Sequence, residues 1–183
     1  MEDLDSALHT DFLSTLGEPV FKDGCIFCKI AQGKEPRTNI LFQNEAVTVF
    51  HDIRPATKEH LLIIPKSHHG PVKSLSATDL PLMDYLRQVG KAVIEARGGI
   101  LEESRVGFHW PPFYSVEHLH LHVIYPEKQM GFLARLIFKP NTYWFVSYDW
   151  AFDWLQRRDR PRRESVKEVS EASSRDSGTG THI

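Results

Sequence analysis

Three histidines occupy every second position in the stretch 118–124, which reads His-Leu-His-Leu-His-Val-Ile. In a β-strand, alternate side chains lie on the same face, so the imidazoles of His118, His120 and His122 would project in one direction, about 7 Å apart from one to the next. The leucine and valine side chains between them would enter a core on the other face. The pattern therefore predicts a strand within 117–125 that carries a row of imidazoles on one side.

A row of imidazoles limits how many of them can be charged. A proton on one ring disfavours a proton on its neighbours, which leaves the central ring of His120 neutral near pH 7. A neutral imidazole can act as a base, a metal ligand or a nucleophile. A metal site formed by three imidazoles and a purely structural strand remain alternatives to catalysis at this point.

The composition bounds the size of the domain and its charge. The chain has 183 residues, of which 41% are hydrophobic. We expect one domain over 24–155, preceded by an extension over 1–23 and followed by a polar tail over 156–183 that cannot bury enough apolar area to become ordered. The net charge of −2 gives no sign of bulk attraction to nucleic acids or membranes.

Targeting signals and cysteine usage indicate the compartment. No apolar run approaches the roughly 20 residues that would span a bilayer, and the first residues do not resemble a signal peptide. The two cysteines, Cys25 and Cys28, lie too close together to staple a secreted fold, so a reducing compartment is the better interpretation. We expect a protein of the cytoplasm and the nucleus.

Hydrophobic periodicity predicts a small number of helices and strands. Strands are expected at 46–51, 60–64, 105–108 and 117–125, and a short helix is expected at 26–30. The sequence Ser-Ala-Thr-Asp at 76–79 resembles a capping box, followed by apolar residues at helical spacing as far as Gly98. Further helices are expected from Met130 and over 150–155. Strands and helices in no strict alternation favour the α+β class with a largely antiparallel sheet.

Several stretches together resemble a known family. The run 118–124 is similar to the signature of the histidine triad (HIT) superfamily, and 26–27, 50–53 and 60–66 resemble the corresponding runs of the histidine triad nucleotide-binding proteins. Gly107-Phe108-His109-Trp110-Pro111-Pro112-Phe113, Gly131-Phe132-Leu133 and 141–145 resemble the third branch of that group. The resemblance implies a HIT-like fold with a five-stranded, largely antiparallel sheet and a few helices.

The resemblance also implies an activity. Family members hydrolyse purine nucleoside phosphoramidates, such as AMP-NH₂, AMP-lysine and aminoacyl adenylates, to the nucleoside monophosphate and an amine. The position of the attacking histidine is His120 here, and His122 would contact the phosphate oxygens. His60 matches a fourth histidine that orients the others, and Ser115 matches a serine near the phosphate or the leaving amine. With His118, these residues form the expected catalytic set.

The nucleotide site follows from the same resemblance. Family residues that hold the purine, bind the ribose or contact the phosphate correspond to Ile26, Phe27, Ile30, Phe50, Asp52, Ile53, His109, Ser115, His120 and His122. Asp52 matches the carboxylate that accepts hydrogen bonds from the ribose hydroxyls. His109 stands where the common branch has an asparagine, in a shorter and bulkier loop, so it is expected near the leaving group.

Cys25 and Cys28 have a spacing that is typical of metal ligands and also occurs in redox sites. Some histidine triad relatives complete a structural zinc site with two histidines, which correspond to His68 and His118 here. The alternative is a pair of unpaired buried thiols. No cofactor is expected to be required for catalysis.

Two other functions remain open. One is hydrolysis of DNA adenylates, as in aprataxin, and the other is a nucleotide-binding adapter without turnover. The resemblance implies a homodimer or a larger homo-oligomer, with AMP or a nucleoside phosphoramidate as the ligand. Neither a membrane nor a nucleic acid is expected as a partner.

Overall fold

A six-stranded antiparallel sheet organises residues 12–158, the part of the chain that the structure, a computed structural model, describes. Its strands have the spatial order β1-β2-β3-β5-β4-β6. Their bounds are β1 Ile40–Gln43, β2 Val47–His51, β3 Glu59–Pro65, β4 Arg105–His109, β5 Leu121–Tyr125 and β6 Phe145–Ser147. The expected α+β class is confirmed, but the expectation of five strands is wrong because β6 adds a sixth.

Within residues 12–158, four α-helices accompany the sheet: α1 Ile26–Ala31, α2 Leu80–Ala96, α3 Phe132–Ile137 and α4 Tyr148–Arg158. The predicted capping box is confirmed, because the backbone N–H of Ser76 donates to the carboxylate of Asp79 at 2.8 Å and the reciprocal bond is also present. A 3-10 turn then leads into α2. None of the described helices is long and apolar enough to cross a membrane.

The two faces of the sheet bury different residues because side chains alternate along each strand. In β3, Leu61 and Ile63 enter the main core, where α2 and α4 pack. Leu62 and Ile64 enter a second core beneath α1, together with Phe27. All seven residues of β3 are therefore buried, and His122 of the neighbouring strand β5, which pairs with Leu62, projects toward the α1 side.

The strand predicted over 117–125 is shorter than expected, since β5 begins only at Leu121. The preceding backbone bonds to a loop instead of to β3: the N–H of Leu119 donates to the carbonyl of His69 at 2.9 Å. The side chains still alternate there, with Leu119 in the main core. The predicted alternation of three imidazoles with apolar residues is therefore confirmed, although the first part of the segment pairs with a loop and not with β3.

The predicted N-terminal extension and C-terminal tail each contribute residues to the packed domain. Leu13 is buried in the main core, and the ring of Phe12 lies 5.2 Å from that of Tyr85. Helix α4 continues beyond residue 155 as far as Arg158. The remainder of the predicted tail, 159–183, and residues 1–11 lie outside the described residues.

Strand β6 can pair with β4 because Gly107 has no side chain. A Cβ atom at this position would overlap the backbone carbonyl of Val146 and would lie 2.8 Å from the ring of Phe145. Phe145 is fully buried beside the histidine cluster, so the close approach of the two strands also shapes the site.

Substitution Gly107→Ala is expected to destabilise the fold by about 1–3 kcal/mol, because the added methyl group overpacks a backbone contact that cannot move cheaply. Urea unfolding followed by circular dichroism measures the change. Gly17→Ala is the matched control, since a Cβ atom there meets nothing within 4 Å. Equal stability of the two variants would contradict this account of the β4–β6 contact.

Candidate active site

A cleft of about 660 Å³ lies between α1 and the sheet. All ten residues that the resemblance assigns to nucleotide binding line it: Ile26, Phe27, Ile30, Phe50, Asp52, Ile53, His109, Ser115, His120 and His122. Seven further residues line the cleft that the sequence analysis did not single out: Glu35, Arg37, Thr38, Asn39, His51, Leu62 and Val116. Of the expected catalytic residues, His60 and His118 do not line the cleft and are fully buried behind the residues that do.

Aromatic and aliphatic side chains form one side of the cleft. The rings of Phe27 and Phe50 meet edge to face with their centroids 5.6 Å apart, and Ile30 packs in the same cluster. Helix α1 brings these groups together because its apolar residues bury against β2 and β3. A narrow apolar wall of this kind suits a flat heterocycle such as a purine.

The protonation of His120 is fixed by the backbone. Its Nδ1 lies 2.6 Å from the carbonyl oxygen of His118, and because a carbonyl can only accept, Nδ1 carries the hydrogen. The other nitrogen, Nε2, then holds a free lone pair. Burial lowers the pKa of His120 to about 4, so the ring is neutral at pH 7. The ring of Phe27 packs edge-on against it at 5.3 Å.

A second chain of hydrogen bonds fixes His60 and His122. The N–H of Ala56 donates to Nδ1 of His60 at 3.1 Å, so the hydrogen of a neutral His60 is on Nε2. This Nε2 lies 2.9 Å from Nδ1 of His122 and donates to it. The hydrogen of His122 is therefore on its own Nε2, a buried atom that has no hydrogen-bond partner among the described residues.

Burial keeps this pair of rings uncharged. It lowers the pKa of His60 to about 3 and holds the pKa of His122 well below its ordinary value, with the neighbouring imidazoles adding to both effects. An unpartnered buried donor is costly unless a ligand satisfies it. The Nε2–H of His122 is thus a donor available to an anionic oxygen in the cleft.

Asp52 and His109 complete the polar part of the cleft. The carboxylate of Asp52 accepts from the N–H of Arg54 at 2.7 Å and lies 3.8 Å from Nε2 of His60, and burial raises its pKa. Nδ1 of His109 donates to the carbonyl of Trp144 at 3.1 Å, which leaves Nε2 free, and burial lowers the pKa of the ring. The ring of His109 lies 4.9 Å from that of His122.

Four predicted metal ligands meet at the other side of α1. The ligand atoms of Cys25, Cys28, His68 and His118 all lie within 4.8 Å of one another. Nε2 of His118 donates to the carbonyl of Pro65 at 3.0 Å, so its Nδ1 lone pair points at both sulfurs, 3.5 Å away. Two sulfurs and two imidazoles are a donor set that fits a tetrahedral metal site.

A metal at these four ligands would also stabilise the deprotonated form of Cys28. Burial raises the pKa of the Cys28 thiol, and the N–H of Lys22 donates to its sulfur at 3.3 Å. A cation would reverse that shift by stabilising the thiolate.

Asp52, His60 and His122 form a second cluster with donor atoms at similar separations. There, however, the facing nitrogens of His60 and His122 are already bonded to each other, which leaves no pair of lone pairs for an ion.

Phe138 and Phe145 are site residues that sequence reasoning missed. The ring of Phe138 lies 5.1 Å from His60 and 5.4 Å from His109, and the ring of Phe145 lies 5.9 Å from His122. They bury the imidazoles and so help to lower their pKa values. Neither residue could be assigned to the site from the sequence, because a phenylalanine by itself does not indicate which residues it will cover.

The geometry agrees with comparisons to known proteins. Residues 24–137 match the family described as the scavenger mRNA decapping enzyme C-terminal binding domain. The chain is 43% identical over 133 residues to adenosine 5'-monophosphoramidase HINT3 of Xenopus tropicalis, covering 72% of this chain and 87% of the relative. The corresponding protein of Mus musculus is 38% identical and covers 75% of this chain and 84% of the relative.

A solved structure supports the fold as well. The HIT family hydrolase of Legionella pneumophila is 33% identical, with a TM-score of 0.54, over 60% of this chain and 97% of that protein. The family match over 24–137 covers strands β1 to β5 and the row of histidines. The chain therefore belongs to the histidine triad family, in the group of the HINT3 proteins.

Proposed function

We propose that this chain is an adenosine 5'-monophosphoramidase, which hydrolyses purine nucleoside phosphoramidates to the nucleoside monophosphate and an amine. The relatives carry that name, and the cleft combines an apolar wall with a neutral imidazole. The observation that carries the proposal is the hydrogen bond from His120 Nδ1 to the carbonyl of His118, which leaves Nε2 free to attack.

The reaction has two displacements at phosphorus. In the first, the Nε2 lone pair of His120 forms a bond to the α-phosphorus while the phosphorus–nitrogen bond to the amine breaks, and the departing nitrogen takes a proton from solvent. In the second, water adds to phosphorus and returns a proton to solvent, the bond to Nε2 breaks and the nucleoside monophosphate leaves. Division into two steps is the general advantage of nucleophilic catalysis.

The surrounding residues support both steps. The unpartnered Nε2–H of His122 donates to a phosphate oxygen, and His60 holds that ring in the required tautomer through its own hydrogen bond. Such a donor, fixed before the substrate arrives, stabilises charge without reorganisation. Asp52 accepts from the ribose hydroxyls, while His109 and Ser115 face the leaving amine.

Zinc is the metal that suits the four ligands Cys25, Cys28, His68 and His118. It would have a structural role, because two thiolates and two imidazoles close its tetrahedral shell and leave no position for water. The ion would tie the segment before α1 to the histidine strand. Through His118, whose carbonyl holds His120, it would also restrain the nucleophile.

The variant His120→Ala tests the nucleophile. Release of AMP from an AMP-lysine conjugate, followed by chromatography, is expected to fall by roughly 10³-fold or more, since no other lone pair replaces Nε2. AMP binding should be retained. His69→Ala is the control, because His69 is outside the cleft.

Other outcomes of this assay would favour other functions. Unchanged release by His120→Ala would refute the proposed nucleophile. Binding of AMP without any release by the wild-type protein would favour an adapter. Faster cleavage of 5'-adenylated DNA than of the small conjugate would favour an aprataxin-type activity.

The neighbouring variants His68→Ala and His69→Ala test the zinc site. Elemental analysis of the wild-type protein and of His69→Ala should give about one zinc ion per chain, because the four ligands form one shell. His68→Ala should lose most of the metal and should expose both thiols to a thiol-specific reagent. Absence of zinc from wild-type protein prepared in its presence would contradict the assignment.

A further inference from the structure

Helix α3 exposes its apolar side chains instead of burying them. None of its six residues is buried, and Phe132 and Leu133 are 80% and 68% exposed. Leu136 and Ile137 follow them at the i+4 spacing and are also exposed, so the four side chains share one side of the helix. A packed helix of a domain would turn these residues inward.

An aromatic residue extends this surface. Tyr143 is 85% exposed, and its neighbour Trp144 donates from Nε1 to the carbonyl of Leu136 at 3.0 Å. This bond holds the segment before β6 against α3. We call Phe132, Leu133, Leu136, Ile137 and Tyr143 the α3 surface. A contiguous apolar patch of this kind marks an interaction site.

Cations predominate around the α3 surface. The stretch 128–144 contains Lys128, Arg135 and Lys139 and no acidic residue. The guanidinium of Arg135 donates to the carbonyls of Met130 and Lys128. The acid that precedes the stretch, Glu127, forms its ion pair with Arg105 of β4, and the more distant charge of Arg135 also helps to lower the pKa of Glu127.

We propose that the α3 surface docks on an anionic phospholipid membrane. An apolar helix face with a nearby tyrosine and a rim of cations is the composition of segments that lie in the membrane interface. The lysines would contact acidic headgroups while Phe132 and Leu133 enter the acyl boundary. The protein would lie on the bilayer and would not span it.

A second copy of the chain fits this surface less well. In a two-fold contact, the same patch faces itself, so Lys128, Arg135 and Lys139 of both copies would come together, while the acid that precedes them, Glu127, already forms its ion pair with Arg105. The net charge of −2 does not indicate this cationic segment, because it also counts the acids elsewhere in the chain. The expectation that no membrane is involved depended on that net charge and on the lack of a spanning segment.

Docking at α3 would take place next to the histidine cluster. Phe138 directly follows the helix, is buried, and packs on His60, His109 and His122. A bilayer at α3 would therefore lie close to one wall of the site. The docking proposal itself does not depend on the hydrolytic reaction, because its test measures binding.

Co-sedimentation of the full chain with vesicles tests the proposal. Binding is expected with phosphatidylcholine vesicles that contain phosphatidylserine, to weaken with added salt, and to be much lower with phosphatidylcholine alone. The double variant Phe132→Asp/Leu133→Asp should lose binding by at least about tenfold, because it places charge at the acyl boundary. Lys128→Gln/Lys139→Gln should lose about fivefold for each lysine removed.

Ile100→Asp is the matched control, because Ile100 is an exposed apolar residue outside the α3 surface and should keep wild-type binding. Circular dichroism and AMP release establish that each variant is folded. Failure of the wild-type protein to sediment with anionic vesicles would overturn the proposal. So would a wild-type dimer in gel filtration that Phe132→Asp/Leu133→Asp converts to a monomer, since that result would assign the surface to a second copy.

Discussion

The hydrogen bond from His120 Nδ1 to the carbonyl of His118 is the interaction on which the site depends. A histidine can attack phosphorus only with an unprotonated nitrogen, and this bond decides which nitrogen that is. The same short segment supplies both partners, so the backbone before β5 must keep one conformation. That backbone is held by Leu119 bonded to His69 and by the ring of His118 bonded to Pro65. The nucleophile is thus positioned by main-chain atoms rather than by a carboxylate.

The neighbouring imidazoles form a consistent set. Main-chain groups fix one nitrogen of His60, His109, His118 and His120, and His60 in turn fixes His122. Each fixed nitrogen determines the role of the other one, either a lone pair or a donor. Burial by Phe138 and Phe145 keeps the rings neutral, which retains those roles at pH 7. His118 connects the sites on the two sides of α1. Its ring faces the sulfurs of Cys25 and Cys28, and its carbonyl accepts the hydrogen bond from the nucleophile His120.

The sequence predicted the parts of the structure that have a clear local pattern. The row of histidines follows from alternation, the helix after Ser76 from a cap and helical spacing, and the buried strand β3 from an apolar run that stops at Pro65. Strands β1 and β6 have only four and three residues, too few to show a period, and β6 depends on the missing side chain of Gly107. The α3 surface could not be predicted, because apolar residues at helical spacing normally indicate a buried face. The tautomers of His109 and His118 likewise need coordinates, since they depend on the carbonyls of Trp144 and Pro65 in other segments.

Nitrogen-15 NMR of histidine-labelled protein at pH 7 tests the central claim directly, because long-range couplings from the ring protons distinguish the two neutral tautomers. The account predicts the Nδ1–H tautomer for His120 and the Nε2–H tautomer for His122, with assignments made from single histidine substitutions. An Nε2–H tautomer or a charged ring at His120 would contradict it, since the nitrogen that faces the cleft would then have no lone pair for phosphorus.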